Sequence, residues 1–362
     1  MKTIGFVGTA KNTGKTTTAL HVLKLVSEAG IVTALTSIGY DGENTDHITG
    51  LPKPRYYAAK GMLLATAEPC LGYGSAKLKD PIRTGLRTIL GEIIIATVAE
   101  PGYVVLAGPN RRMDIQQLLA TLESLGVALT MVDGALNRLA ALTVADGLVL
   151  STGAAYDERI PELAAHAAAI ESLFHYPKYS SEETSHQVSF IAPTGITQQL
   201  ALGSVLEASA MQAVADWLKS NQGGTCLIPG VFSPQLFQEM LQQLDHHLEG
   251  SRFVFQSPLN LLAAGSPEIW QAGFASLKSR GGEVLYQAPL PLYLMTVNPF
   301  YPQYLQKTGN YTAAFVDKVA LLQRTRQLIQ DTPVVDILQP PLPDLLKICE
   351  ITPDMFSDRP QA

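Results

Sequence analysis

The sequence predicts an α/β fold with a mostly parallel, doubly wound sheet, followed by a C-terminal α/β half. Three observations indicate this class. Short apolar runs typical of buried strands alternate along the chain with longer stretches of helical period. The first series runs strand, glycine-bounded turn, helix and strand, which is how a parallel sheet begins. A polar stretch without periodicity, residues 176–187, then separates two such series.

The N-terminal series begins with an apolar run over residues 2–7, which predicts a buried strand that Gly8 follows. A wide apolar face predicts a helix over residues 16–29, and residues 31–37 predict the second strand. Residues 39–79 form a long irregular stretch of a kind that is usually functional or mobile. The other elements predicted in this half are a short helix at 57–66, strands at 92–99 and 103–108, a helix at 114–125, a strand at 128–132, a short helix at 136–144, a strand at 147–150 and a helix at 160–174.

The C-terminal series resumes the alternation after the polar stretch. Its predicted elements are a strand at 188–192, a helix at 208–219, a strand at 225–228, a helix at 235–248, a strand at 253–256, a strand region at 283–294, a long helix at 313–329 and a strand at 334–338. We therefore expect a first domain over residues 1–175 and a second α/β domain, or an extension of the first sheet, over residues 188–338. A Pro-rich tail, residues 339–362, should fray.

Composition excludes several classes of protein. Of the 362 residues, 46 % are hydrophobic and 16 % are charged, which favours a folded core and excludes disorder. The net charge of -6 gives no overall attraction to nucleic acid or to anionic lipid, and the sequence has no apolar stretch typical of a membrane span. Cys70, Cys226 and Cys349 are far apart and lack metal-ligand spacing, which is typical of isolated thiols in a reducing compartment. We therefore expect a cytoplasmic protein.

The strongest chemical signal follows the first strand, in the sequence Gly-Thr-Ala-Lys-Asn-Thr-Gly-Lys-Thr. It is close to the P-loop pattern G-x-x-x-x-G-K-[ST], although Gly8 lies one residue early and Thr9 occupies the position of the first glycine. The expected phosphate-binding residues are Gly8, Thr9, Ala10, Lys11, Asn12, Thr13, Gly14, Lys15, Thr16 and Thr17. Lys15 should reach the β- and γ-phosphates, and the Thr16 hydroxyl should ligate Mg²⁺. The position between a predicted strand and a predicted helix favours a P-loop over an ordinary glycine-containing turn.

Two carboxylates are candidates for catalysis and for Mg²⁺ binding. Asp41, in Thr-Ser-Ile-Gly-Tyr-Asp-Gly-Glu after the second strand, would face the γ-phosphate, although Asp-Gly is also a common turn pair. Asp133 ends an apolar strand in the manner of a Walker-B carboxylate, although such strand ends are also common. A rival strand end lies at Gly108, whose N–H would contact the γ-phosphate. Three arginines, which are otherwise ordinary surface residues, are further candidates for phosphate contact: Arg111, Arg112 and Arg138.

The glycine-rich loop resembles those of narrower groups. Lys11 to Thr17 is similar to the P-loop of molybdenum-cofactor accessory GTP-binding proteins, and Gly8-Thr9 is similar in spacing to the loop of dethiobiotin synthetases. Both resemble the class that includes the signal-recognition and nitrogenase-iron-protein relatives. The second lysine of the nitrogenase-like branch would fall at Ala10, and the extra lysine here is Lys11. The intermonomer role of that lysine is therefore not carried over, and Lys11 would contact phosphate, a partner or only solvent.

The loop, with TSIGYDGE at 36–43, VDGALNR at 132–138 and LSTGAA at 150–155, resembles one family over most of the chain. That family is the small P-loop subunit of the reactivase for adenosylcobalamin-dependent lysine or ornithine aminomutases. The resemblance implies an ATP-driven chaperone that helps to release damaged cobalamin from an inactivated mutase. Its expected partners are a second reactivase subunit and the B12-dependent aminomutase.

The residues leave three functional hypotheses open. The first is a Mg²⁺–ATP-dependent P-loop NTPase that remodels a partner protein, with residues 39–79 as a switch ordered by the γ-phosphate. The second is an ATP-dependent ligase or kinase of the dethiobiotin-synthetase type. The third is a nucleotide-binding regulator without hydrolysis. The sequence has no [NT]KxD motif for guanine, so ATP is the expected nucleotide, with GTP as the alternative.

Overall fold

A computed structural model describes residues 1–41, 54–134, 141–180 and 185–352, except for the side chains of Asp41 and Asp245. The strands, numbered in chain order, are β1 (Lys2–Gly8), β2 (Thr33–Ser37), β3 (Gly39–Asp41), β4 (Tyr57–Ala58), β5 (Leu63–Ala67), β6 (Lys77–Thr88), β7 (Gly91–Glu100), β8 (Gly102–Tyr103), β9 (Leu106–Gly108), β10 (Leu129–Asp133), β11 (Gly147–Gly153), β12 (Ser189–Ile191), β13 (Thr197–Gln199), β14 (Thr225–Ile228), β15 (Arg252–Phe255), β16 (Glu283–Tyr286), β17 (Leu292–Asn298), β18 (Phe300–Leu305), β19 (Asn310–Phe315) and β20 (Val334–Val335).

The helices connect these strands and in most cases follow a strand directly. They are α1 (Lys15–Glu28), α2 (Arg112–Ser124), α3 (Ile160–Ser172), α4 (Ala208–Ser220), α5 (Pro234–Leu244), α6 (Pro258–Ala264), α7 (Pro267–Ser279), α8 (Lys318–Leu328) and α9 (Leu345–Ile348). Within the described ranges, none of them combines the length and the apolar character needed to cross a bilayer.

The α/β class is confirmed, and the large sheet is mostly parallel. It has nine strands in the order β20-β17-β11-β1-β10-β2-β5-β7-β6. The neighbouring pairs from β20 to β5 are all parallel, and β7 is antiparallel to both β5 and β6. In this order β1 is central, with β10 on one side and β11 on the other. The loop that follows β1 therefore begins between the ends of two parallel neighbours.

Both faces of the large sheet are covered. Consecutive strand residues point to opposite faces, and in β2 the side chain of Leu35 belongs to the apolar cluster that contains Val22 and Val26 of α1. Its neighbour Ala34 belongs to a second cluster, which contains Leu118 of α2. The helices α1 and α2 thus pack on opposite faces, as a doubly wound sheet requires.

The chain forms two compact units, one of residues 1–165 with 291–362 and one of residues 166–290. The second unit has a five-stranded sheet in the order β13-β12-β14-β15-β16, in which β14, β15 and β16 are parallel. Its core is aromatic: the ring of Phe237 lies 5.3 Å from that of Trp270, measured between centroids. The first unit breaks off inside α3, at a point that no polar linker marks, and the chain returns to the large sheet at β17. The two units therefore differ from the expected domains of residues 1–175 and 188–338.

Several element predictions were wrong. The helix expected at 57–66 is replaced by β4 and β5, with a turn at Gly61 between them, where φ is +87°. The long helix expected at 313–329 is instead β19 followed by α8, and Asp317 begins α8 by accepting hydrogen bonds from the N–H groups of Val319 and Ala320. Within the tail expected at 339–362, residues up to 352 include α9, where Leu345 is only 1 % exposed, and residues 353–362 lie outside the described residues. The short helix expected at 136–144 lies mostly outside the described residues.

Candidate functional site

The loop of residues 9–14 lies at the carboxyl edge of the large sheet, where β1 ends and α1 begins. Asp133 pairs in register with Phe6 on one side of β1, and Ser151 pairs with Gly8 on the other. The loop therefore begins beside Asp133, at the end of β10, and Ser151, near the end of β11. In open α/β sheets this edge is where ligands bind.

The backbone of the loop takes a conformation that its sequence permits. Gly14 has φ of +93° and Asn12 has φ of +65°, a left-handed region that glycine adopts freely and asparagine tolerates. A Cβ atom on Gly8 would lie 2.8 Å from the Thr13 hydroxyl oxygen and 3.2 Å from the Ala10 carbonyl oxygen. The close approach of the loop to the end of β1 therefore requires glycine at position 8.

The start of α1 is suited to an anion. Gly14 is the N-cap residue and offers no side-chain oxygen to the N–H groups of the first turn, and that turn carries no acidic residue. The partial positive charge of a helix N-terminus is therefore not offset by a neighbouring carboxylate of the same turn. Such a terminus, with the backbone N–H groups of a tight preceding loop, attracts phosphate oxygens.

Lys15 and Asp133, which were predicted from separate motifs, are in direct contact. Lys15 Nζ lies 2.5 Å from Asp133 Oδ1, and the two side chains are 19 % and 2 % exposed. The carboxylate is therefore buried at the end of β10 with the lysine as a counter-ion. At this distance the two opposite charges attract each other, and the surroundings exclude most of the water that would screen them.

The threonines of the loop and of the first turn differ in their surroundings. Thr16 is 6 % exposed, and Thr13, at 1 %, donates from its hydroxyl to the Ala10 carbonyl. The hydroxyl of Thr9 donates to that of Thr152 at 2.9 Å. Thr17 is half-buried and lines a shallow depression, which Asn298 and Asp336 also line. Because α1 begins at Lys15, the Thr16 hydroxyl belongs to the first turn of this helix.

Two further strands hold the loop in place. The backbone N–H of Thr9 donates to the Ser151 carbonyl at 2.9 Å, which fixes the start of the loop to β11. The side-chain amide of Asn298, at the end of β17, donates to the Asn12 carbonyl at 3.0 Å. A buried hydroxyl of Thr296 lies 3.0 Å from that of Thr18 and donates to that of Ser151 at 2.8 Å. The loop and α1 are thus fastened to β11 and β17.

The other predicted contacts have varied outcomes. The backbone of Asp41 pairs with Leu106 in β3 and β9, whereas its side chain, and Arg138, lie outside the described parts. Gly108 was expected to offer its N–H to a γ-phosphate, but that N–H donates to the Ser37 hydroxyl at 3.1 Å. Lys11 is exposed and Ala10 is half-buried. The geometry therefore brings Lys15 to Asp133 and places Gly8 close to Lys15, the residue that precedes Thr16.

Asn298, Thr296, Ser151 and Thr152 were not predicted as site residues. A signal was present for Asn298, because residues 292–298 form an apolar run that ends in a polar residue. Since the carboxyl ends of parallel strands meet at one edge, such a strand end is a candidate site residue. The sequence does not reveal which strands are neighbours, and it predicted a single strand region over residues 283–294.

The chain was compared with known proteins in three ways. No protein-family model, no curated protein and no solved structure matches it.

Proposed function

We propose that this chain is a Mg²⁺-dependent P-loop NTPase whose nucleotide, expected to be ATP, binds at the loop between β1 and α1. The observation that carries the proposal is the contact between Lys15 and Asp133 at the start of α1. The two residues come from motifs more than a hundred positions apart, and the fold brings one to the other. A glycine-rich loop that ends in Gly-Lys-Thr, beside a strand that ends in aspartate, is the residue set that phosphoryl-transfer sites use.

The phosphate groups would be bound by the loop and by Lys15. The close approach at Gly8, the left-handed residues Asn12 and Gly14, and the N-terminus of α1 are the features of a cradle for phosphate oxygens. The ammonium group of Lys15 would exchange its contact with Asp133 for one with the phosphates. This exchange keeps the lysine charge paired and frees the carboxylate to face a cation.

The oxygen donors also fit Mg²⁺. This ion prefers hydroxyl, carboxylate and phosphate oxygens, and Thr16 and Asp133 would supply the first two kinds, since Asp133 contacts Lys15, the residue before Thr16. Asp41, predicted as a third ligand, belongs to this proposal on the sequence alone. When bound, Mg²⁺ would neutralise charge on the β- and γ-phosphates. The role of the protein is to orient those phosphates and to hold the two oxygen donors in place.

The reactivase-like motifs extend the proposal to the use of the nucleotide. We infer that binding and hydrolysis are coupled to remodelling of a partner protein, namely an adenosylcobalamin-dependent amino acid aminomutase together with a second reactivase subunit. The segment of residues 39–79 begins directly after β2, which neighbours the strand of Asp133. Loss of the γ-phosphate on hydrolysis would affect Asp133 at the end of β10, and β10 is paired with β2, the strand that this segment follows.

The test measures binding and hydrolysis of ATP and of GTP with Mg²⁺ for the wild type, Lys15→Ala and Lys24→Ala. Lys24 lies on the same helix with its side chain 71 % exposed, so its removal controls for the loss of a positive charge. We expect Lys15→Ala alone to lose binding, and we expect slow turnover that rises when an aminomutase and the partner subunit are added. Fast turnover with a small carboxylate or alcohol and no protein partner would favour a ligase or kinase instead. Failure of the wild type to bind any nucleotide would refute the proposal.

A further inference from the structure

Asn298 is the last residue of β17, and both polar atoms of its side chain are engaged. Its Nδ2 atom donates to the Asn12 carbonyl at 3.0 Å, and its Oδ1 atom accepts from the Phe300 N–H at 3.1 Å. Its backbone carbonyl accepts from the Ala154 N–H at 2.9 Å. The backbone thus fixes the residue between β17 and the end of β11, while the side chain crosses to the loop between β1 and α1.

The hydrogen bond to Asn12 holds a part of the loop whose backbone conformation is unfavourable for L-residues. Asn12 has φ of +65° and Gly14 has φ of +93°, and the residue between them, Thr13, is 1 % exposed. Left-handed conformations next to right-handed ones turn successive N–H groups toward the same side, which forms a concave anion site. A carbonyl held from outside fixes the orientation of its peptide plane, and the next N–H, that of Thr13, belongs to that plane.

The side chain of Asn298 also limits the space beside the loop. A Cβ atom on Gly14 would lie 3.4 Å from both Cβ and Nδ2 of Asn298, which is ordinary van der Waals contact. The amide therefore occupies the space beside the residue that caps α1, as well as bonding the Asn12 carbonyl. One side chain from β17 thus lies beside both left-handed residues of the loop.

We propose that Asn298 is a positioning residue that holds the loop in its phosphate-receiving conformation before the nucleotide arrives. This inference rests on the proposed nucleotide site and adds a residue outside the P-loop and carboxylate motifs. An aspartate cannot take its place, because a carboxylate has no proton to donate to the Asn12 carbonyl. Its negative charge would also repel both that carbonyl and a bound phosphate.

The test uses the full chain with Asn298→Ala, Asn298→Asp and the control Asn310→Ala, which changes an exposed residue of β19. The Kd for Mg–ATP and Mg–GTP is measured by calorimetry, and hydrogen exchange is followed without nucleotide. We expect Asn298→Ala to weaken binding about five-fold, the equivalent of one hydrogen bond. Asn298→Asp should weaken it further, and Asn310→Ala should leave it unchanged. Exchange should accelerate in residues 11–14 and not in β11 or β17. Where turnover is measurable, KM should rise and kcat should be retained.

The outcomes separate this inference from the proposed function. Wild-type binding that Lys15→Ala abolishes and that both Asn298 variants retain would overturn the positioning role alone. Weaker binding accompanied by faster exchange throughout β11 and β17 would also overturn it, because Asn298 would then support the sheet rather than the loop. A wild type that binds no nucleotide would overturn both proposals.

Discussion

The contact between Lys15 and Asp133 leads us to expect that substituting one partner will lower the free energy of unfolding more than substituting the other. Asp133 is the buried partner, with its side chain 2 % exposed, and Lys15 is 19 % exposed. Lys15→Met would leave a buried carboxylate without its counter-ion, whereas Asp133→Asn would leave a lysine that can turn toward water. Removing the lysine should therefore destabilise the folded chain more than removing the carboxylate charge.

The size of the effect follows from burial. Breaking a fully buried ion pair costs about 3–5 kcal/mol, and the partial exposure of Lys15 reduces the expected cost of Lys15→Met to about 2–3 kcal/mol. Asp133→Asn should cost about 1 kcal/mol, the value of an ordinary hydrogen bond. If the unit that contains the pair unfolds by itself, Lys15→Met should lower its Tm by roughly 4–6 °C.

The assay is urea unfolding without nucleotide, monitored by circular dichroism, for the wild type, both single variants and the double variant. In the double variant the buried charge is gone, so its free energy of unfolding should exceed that of Lys15→Met by about 1 kcal/mol or more. Lys24→Met is the control and should unfold like the wild type, because Lys24 is exposed. The reasoning would be refuted if Asp133→Asn were the less stable single variant, or if the double variant gained nothing over Lys15→Met.

Three further predictions test other parts of the structure. Gly8→Ala should weaken nucleotide binding, because its Cβ would lie 2.8 Å from the Thr13 hydroxyl oxygen. The control Gly72→Ala, which adds a Cβ in open space, should bind like the wild type. A Kd for Gly8→Ala equal to that of the wild type would contradict this prediction. Burial raises the pKa of Cys349 from 9.0 to about 12, so between these pH values the folded chain keeps a proton that the unfolded chain releases. The free energy of unfolding should therefore fall as the pH rises from 9 to 12, and it should fall less steeply in Cys349→Ala. Equal dependence on pH in the two chains, measured by urea unfolding, would contradict this. Phe237→Ala should destabilise the second unit by about 3–5 kcal/mol, because the ring is fully buried among other aromatic side chains; near-UV circular dichroism should detect the loss, and an unchanged unfolding transition would disprove it.

Local patterns were sufficient for the elements around the loop. The apolar run before Gly8 and the apolar face after Lys15 predicted β1 and α1 to within a residue or two of their observed ends. Asp133 was found because a short buried strand ends in a carboxylate. These features depend on neighbouring residues in the sequence, and the burial of β1 on both faces makes the signal continuous.

Features that depend on distant pairing were not predicted. The edge strand β6 is largely exposed and carries Pro81 and Gly85, so it shows neither a continuous apolar run nor a clear alternation. The strand region expected at 283–294 divides at Pro291 into β16 and β17, which belong to different sheets. The helix expected from Ala313 begins only after Asp317, and the residues before it pair with β18 instead. Asn298 was missed for the same reason, since its partner Asn12 is 286 residues away.

That separation has a consequence for the order in which the protein is made. A ribosome adds about 5–20 residues per second, so Asn298 is synthesised roughly 15–60 s after Asn12. Throughout that interval the nascent chain carries the glycine-rich loop without the strand that fastens it, while residues 166–290 are still being translated. The hydrogen bond from Asn298 to the Asn12 carbonyl can form only after β17 has emerged. The full affinity expected of the proposed phosphate site would thus be one of the last properties that the growing polypeptide acquires.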